Sequence, residues 1–350
     1  MFNRLKSVLR RSREKQTLRV EPQGVELELR AGQTLLEAML ARRIVYPHNC
    51  KVGTCGSCRS ILQAGRVKAR ADFAYALSKA ELDAGLILAC QAIALDEKTV
   101  IEQPDPSENL PAPREYSARI TQRKALTSDI ARVTMSLDAP LDYVAGQYAS
   151  IRAPGMANAR HYALADAPRR GGRQKISFFV RHIPGGAFTH PLFQGQLDGQ
   201  SLALNAPHGD FHLRRGAAPM VLVAEDTGLA PILSMLDDAR MRRIRRRVTL
   251  LFGTRHAHEL YLLERLDDLQ QSWPAPFDFI PVVSTGPIPS ARTVQRGMAL
   301  ELLGTPSVSL PWHETEVYLC GRPAMVDAGI AKVTQLGVAP NAIHCQRMTE

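Results

Sequence analysis

Three cysteines crowd into the stretch PHNCKVGTCGSCRS, and a fourth follows in LILACQA. Cys50, Cys55 and Cys58 stand at C-x4-C-x2-C, with Cys90 as the distant partner. Thiolates at this spacing can converge on a [2Fe–2S] cluster, three of them from one loop. Such a loop must wrap its load closely. Gly53 and Gly56 permit that and leave backbone N–H groups free to point at sulfur. A zinc ribbon favours two close C-x2-C pairs, and one pair is missing here. A second stretch, LVAEDTGLAP at 222–231, reads as a strand, a turn and a helix, the arrangement that cradles nucleotide phosphate. Two acids, Glu225 and Asp226, occupy its turn where small neutral residues are expected.

The elements that must position these groups follow from periodicity. TLRVEPQGVELELR (17–30) alternates around a glycine turn as a hairpin, and TLLEAMLARR (34–43) has helical spacing. RSILQAGRV (59–67) and KTVIEQ (98–103) supply further strands, so residues 16–103 are expected to form a β-grasp domain around the cysteine loop. EQPDPSENLPAPRE is rich in proline and acids and places a linker at 104–113. Short strands separated by Gly, Pro and Asp fill 114–215, the pattern of an antiparallel β-barrel. Strands and helices alternate through 216–350, which predicts a parallel α/β domain. The expected fold class is therefore multidomain: α+β, then all-β, then α/β.

With 350 residues the chain has room for these domains. It lacks a signal peptide and any apolar run long enough to span a bilayer, so a cytoplasmic location is expected. The net charge of +10 comes from scattered arginines. No nucleic-acid-binding motif accompanies them, and nucleic acid is not an expected partner. The arginines of MRRIRRR (241–247) read as a solvated turn, with a docking patch as the alternative. MFNRLKSVLRRSREK has Phe2, Leu5, Val8 and Leu9 on one helical face. It could lie on an anionic membrane, or be a frayed basic tail.

In the order of its modules and in its cysteine motif, nearly the whole chain resembles the ferredoxin-fused flavin reductases that feed electrons to bacterial multicomponent oxygenases. That family carries R-x-Y-[ST] for its flavin, and the matching residues are Arg160, His161, Tyr162 and Ala163. The resemblance implies that Arg160 pairs with the FAD pyrophosphate and that Tyr162 packs beside the isoalloxazine or ribityl chain. SFFVRHIPGGAFTHPLF matches a second flavin segment. There Val180, Arg181 and His182 would line the dinucleotide, Gly185 and Gly186 would let backbone N–H groups approach phosphate, and Thr189 would open a short helix whose N-terminus favours an anion. An ordinary Pro-Gly-Gly turn has the same composition. Ala163 stands where the family has a hydroxyl.

The resemblance assigns the strand-ending segments AEDTGLAP, FGTRHAHELY and YLCGRPAMV to NAD(P)H. Thr227 and Gly228 match the end of a G-G-T-G turn, with Pro231 at the start of the helix and Asp226 or Thr227 as its cap. Cys320, Gly321 and Met325 match C-G-x-P and its helix, with Cys320 beside the nicotinamide. A buried cysteine at a strand end is equally a small apolar residue. Arg255 would reach toward the adenosine end, and Arg255 and His256 are the cations that could serve the extra phosphate of NADPH. NADH is expected over NADPH. Met348 replaces a Phe that relatives hold near the flavin. The implied activity passes hydride from NADH to FAD, then single electrons through the cluster to an oxygenase or hydroxylase component. The contrasting reading is a ferredoxin-type carrier whose reductase module serves only for docking.

Overall fold

The computed structural model describes residues 16–44, 46–48, 51–53, 58–77, 79–103, 110–288 and 293–348. Cys50, Cys55, Gly56 and the basic segment 1–15 lie outside the described residues. The chain divides into two compact units, residues 1–112 and 113–350.

In the first unit β1 (Gln16–Glu21) and β2 (Val25–Leu29) form the expected antiparallel hairpin. Helix α1 (Leu35–Ala41) begins at a reciprocal cap. Thr34 Oγ1 accepts the Glu37 N–H at 3.2 Å, and Glu37 Oε2 accepts the Thr34 N–H at 2.9 Å. Strands β3 (Arg59–Ala64), β4 (Val67–Ala69), β5 (Leu86–Leu88), β6 (Ala92–Ala94) and β7 (Lys98–Glu102) follow, with a short helix α2 (Lys79–Asp83) before β5. The main sheet runs β2-β1-β7-β3-β5, with β1 and β7 parallel and β4–β6 a separate ladder. Leu35, Leu36 and Met39 of α1 pack on Leu18, Val20 and Ile101, and Cys58 and Cys90 share that core. This is the β-grasp arrangement.

The second unit opens with β8 (Arg114–Ala125), β9 (Ile130–Leu141), β10 (Tyr148–Arg152), β11 (Arg160–Ala163), β12 (Arg173–Arg181) and β13 (Leu202–His208). They form an antiparallel sheet in the order β11-β10-β13-β8-β9-β12. A bridge between Leu164 and Phe178 joins its two edges and closes the barrel. Helix α3 (Thr189–Phe193) follows β12. The parallel sheet has β14 (Met220–Glu225), β15 (Val248–Thr254), β16 (Phe277–Val283), β17 (Gln295–Arg296), β18 (Glu316–Gly321) and β19 (Ile343–Arg347), in the order β17-β16-β15-β14-β18-β19. Helices α4 (Leu229–Met241), α5 (Leu263–Ser272) and α6 (Pro323–Gln335) connect the strands. The strand order reverses between β14 and β18, and in open parallel sheets ligands enter at the carboxyl end of that crevice.

One apolar cluster joins barrel to parallel sheet. Tyr148, Ala163, Ala165 and Phe179 from the barrel pack with Leu222, Leu229, Ile232 and Cys320. Polar contacts reinforce the join. Asp166 O accepts from Tyr143 Oη at 2.7 Å and from Ser234 Oγ of α4 at 2.6 Å. No helix among the described residues is long and apolar enough to cross a membrane.

Candidate functional site

Cys58 and Cys90 are both buried, and they sit side by side. The Cys90 N–H points at Cys58 Sγ at 3.5 Å, and Gln91 Nε2 points at Cys90 Sγ at 3.7 Å. Gln91 Nε2 also donates to Lys51 O at 3.0 Å, tying the loop to the strand end. Gly53 has φ +86, and a Cβ there would meet Gln91 Cγ at 2.7 Å. Only a glycine lets the loop close on this amide. Two enclosed thiols that already receive N–H groups fit thiolate ligation of a cluster, because such donors stabilise anionic sulfur. Gln91 was not among the expected residues. Its signal is a lone amide directly after Cys90 in an apolar run.

The flavin-motif residues gather along β11 and the end of β12. Arg160 is half-buried, with Nη1 3.3 Å from Ala159 O and 3.4 Å from Asn158 O. His161 lies edge-on to Tyr148 at 5.3 Å. Tyr162 packs on Phe188 at 5.3 Å, and burial pushes its hydroxyl above the usual phenol range. Ala163, on the opposite face, points into the cluster shared with the parallel sheet. Val180 points into the barrel core, so it can line a ligand through its main chain alone. His182 stacks on Phe193 at 4.9 Å and keeps an enclosed Nε2 without a hydrogen-bond partner. Gly185 has φ +71 and open space where a side chain would stand. That open turn and the orphaned imidazole nitrogen fit a phosphate-bearing group. Thr189 is the first residue of α3, and its hydroxyl accepts the Ile183 N–H at 3.0 Å and donates to Ile183 O at 3.1 Å, closing the turn.

At the switch point, glycines hold the backbones together. A Cβ on Gly228 would come within 2.7 Å of the Cys320 carbonyl carbon and closer still to its oxygen. One on Gly321 would meet Glu225 Cβ at 2.8 Å and the end of Met325 closer still. Cys320 is fully buried, and burial pushes its thiol well above the usual range. Met348 donates its N–H to Gly321 O at 2.8 Å and packs on the cluster that holds Ala163 and Cys320. Pro231 is the third residue of α4 rather than the first. Gly228 stands at its cap with no side-chain bond, so neither Asp226 nor Thr227 caps it.

Both anomalous acids have cationic partners. Asp226 Oδ1 lies 2.7 Å from Arg181 Nη2, and Asp129 takes the other side of the same guanidinium. Asp226 has φ +59, the left-handed conformation that favours glycine, at a cost of about 1 kcal/mol. Its carbonyl accepts the Tyr261 hydroxyl at 2.9 Å, which braces the turn. Burial lifts the Asp226 carboxyl above the ordinary range, and Arg181 offsets part of that lift. Glu225 binds Arg322 twice, at 2.6 Å to Nη2 and 3.2 Å to Nε. Arg181, Glu225, Asp226, Thr254, Arg255, Glu259 and Arg322 line a cleft of ≈ 210 Å³. Arg255 is exposed there, and its carbonyl accepts the Thr285 N–H at 2.8 Å and the Thr285 hydroxyl at 3.0 Å. Arg322, Asp129 and Tyr261 were not anticipated. Arg322 was legible as the variable residue of C-G-x-P, one strand away from the acid it neutralises.

Known proteins match along nearly the whole chain. Residues 18–95 match the 2Fe-2S iron-sulfur cluster binding domain family, 117–213 the oxidoreductase FAD-binding domain and 222–329 the oxidoreductase NAD-binding domain. The chain is 37% identical over 331 residues to the xylene/toluene monooxygenase electron transfer component XylA of Pseudomonas putida, covering 95% of this chain and 93% of that protein. It is 33% identical over 329 residues to the ferredoxin–NAD(P)(+) reductase component of the naphthalene 1,2-dioxygenase/salicylate 5-hydroxylase systems of Ralstonia sp., covering 93% and 96%. The crystal structure of the Amycolatopsis cytochrome P450 reductase GcoB superposes with a TM-score of 0.76 at 32% identity, covering 96% of this chain and 99% of that one.

Proposed function

Since the chain belongs to the iron–sulfur flavoprotein reductases of multicomponent oxygenases, we propose that it oxidises NADH and delivers the electrons singly to an oxygenase component that hydroxylates an aromatic substrate. When bound, FAD takes up hydride as an electron pair and the [2Fe–2S] cluster relays electrons one at a time; the protein supplies position and electrostatics.

Residues 16–103 hold the cluster, 114–215 the FAD and 216–350 the coenzyme, with 104–113 as linker. Cys58 and Cys90, joined by Cys50 and Cys55, are the thiolate ligands, and Gln91 steadies their loop. Arg160, His182 and the Gly185–Gly186 turn bind the FAD phosphates, while Tyr162 shields the ring system from water. Thr227, Gly228, Gly321 and Met325 shape the coenzyme crevice. Cys320 packs beneath it as a neutral thiol and takes no proton. Arg255 faces the adenosine end. NADH is preferred because a lone arginine after β15 is a thin provision for an extra phosphate.

The observation that carries this reading is the shared apolar cluster. Ala163 of the flavin motif and Leu229 and Cys320 of the coenzyme crevice enter it and Met348 packs against it, so both motifs border the core that joins barrel and parallel sheet. The protein works in the cytoplasm, and its basic N-terminal segment could rest on a membrane that bears the oxygenase.

The purified protein is expected to show flavin and iron–sulfur absorbance. Anaerobic NADH should bleach both within the mixing time of an ordinary spectrophotometer. A flavin-loaded protein that neither NADH nor NADPH bleaches would refute the reductase function.

A further inference from the structure

The two guanidiniums at the switch point are held unequally. Arg181 lies between Asp129 and Asp226, its side chain 32% exposed, and Asp226 is itself braced by Tyr261. That assembly is a fixed strut. Arg322 is 65% exposed, against 21% for its partner Glu225. An ion pair with one solvated partner is worth only a few-fold in an equilibrium, so this tie is easily exchanged.

Its position gives the exchange a use. Glu225 ends β14, Arg322 directly follows β18, and the Glu225 side chain lies over Gly321. The pair therefore spans the mouth of the crevice where the strand order reverses. Arg322 also precedes α6, a helix of 13 residues whose start has no side-chain cap. An anion gripped by Arg322 would face the positive end of that helix. Glu225 is such an anion, built into the chain at a turn position where bulk and charge are otherwise unwelcome.

We propose that Glu225 and Arg322 form an exchange pair that sets coenzyme affinity. Glu225 occupies the guanidinium in the resting protein, and the pyrophosphate of the incoming dinucleotide takes it over. Glu225 is then a tethered competitor and Arg322 a phosphate ligand. Neither touches the transferred hydrogen, so the pair acts on binding and not on turnover. This deepens the coenzyme-oxidising reading above and rests on it.

The test titrates the oxidised holoprotein with ADP-ribose and, separately, with adenosine, which has no phosphate. Glu225→Gln should tighten ADP-ribose about three- to tenfold, and Arg322→Gln should weaken it about tenfold. Adenosine should bind all three proteins alike. The KM for NADH should follow ADP-ribose while kcat holds steady. FAD and cluster absorbance per chain confirm that each variant is intact, and Glu225→Ala repeats the measurement should the amide perturb the turn. Weaker or unchanged ADP-ribose binding in Glu225→Gln, or no loss in Arg322→Gln, overturns the exchange pair. Failure of NADH and NADPH to reduce the unaltered protein overturns the reductase reading instead, and the ADP-ribose titration is independent of it.

Discussion

Replacing Gly228 by Ala isolates the role of close backbone approach at the switch point. The backbone at Gly228 has φ −59 and ψ −14, a conformation any residue adopts, so the substitution carries no torsional penalty. Its whole effect is steric. The new Cβ would stand 2.7 Å from the Cys320 carbonyl carbon, where ordinary contact begins at 3.4 Å. The Cys320 carbonyl oxygen stands closer still, so the turn after β14 must retreat from the end of β18 by about 1 Å, in a region without spare room. Overpacking of this kind costs about 1–3 kcal/mol of stability. A displacement approaching 1 Å at a reacting centre costs up to roughly 10²-fold in rate. Anaerobic stopped-flow should accordingly show flavin reduction by NADH slowed by one to two orders of magnitude, while reduction by dithionite proceeds at the normal rate. Thermal unfolding should move down by a few degrees. A Gly228→Ala protein with unaltered NADH kinetics and unaltered Tm would show that the crevice tolerates a wider gap, and the steric reasoning would fall.

Two further outcomes follow from buried polar groups. His344 stacks on Tyr318 at 4.7 Å, with Arg214, His212 and Arg246 raising its cost of charging and Asp210 opposing them; burial, the main cause, brings its pKa down to about 3. The folded state thus binds fewer protons than the unfolded chain below about pH 6.5, so stability is full above that value and is lost as pH falls toward 3. The loss reaches about 2 kcal/mol at pH 5, and His344→Gln should flatten this slope in denaturant titrations run at pH 5 and pH 7.5; parallel slopes for both proteins would contradict it. Gln91→Leu removes an N–H donor from Cys90 Sγ and should make the cluster potential more negative, because reduction adds charge that the donor stabilises. Spectroelectrochemical titration reads this directly, and an unmoved potential would exclude a role for that bond.

The features legible in the sequence share a physical origin: they are local. The C-x4-C-x2-C spacing, the glycine-turn hairpin at 17–30, the helical spacing at 34–43 and the strand, turn and helix of LVAEDTGLAP each depend on residues a few positions apart. What escaped depends on where distant segments meet. Arg181 and Asp226 are 45 positions apart, and Glu225 and Arg322 are 97. Their pairing is set by sheet order and by the docking of barrel on sheet, which no periodicity encodes. The acids in the turn were visible as an anomaly, but their neutralisation was not. Thr189 illustrates the reverse case, a residue type that suits phosphate yet spends its hydroxyl on its own turn.

The apolar cluster shared by barrel and parallel sheet also bears on how such reductases can be recombined. Tyr148, Ala163 and Phe179 come from one side of it and Leu222, Leu229 and Cys320 from the other. A chimera cut near residue 215 would pair two half-cores that were never fitted to each other, and would strand the Arg181 strut facing a glycine turn. The seam that spares both core and strut lies at residues 112 and 113. Inherited or engineered changes of electron acceptor are thus expected to travel with the N-terminal unit, while flavin and coenzyme sites pass between lineages as one indivisible block.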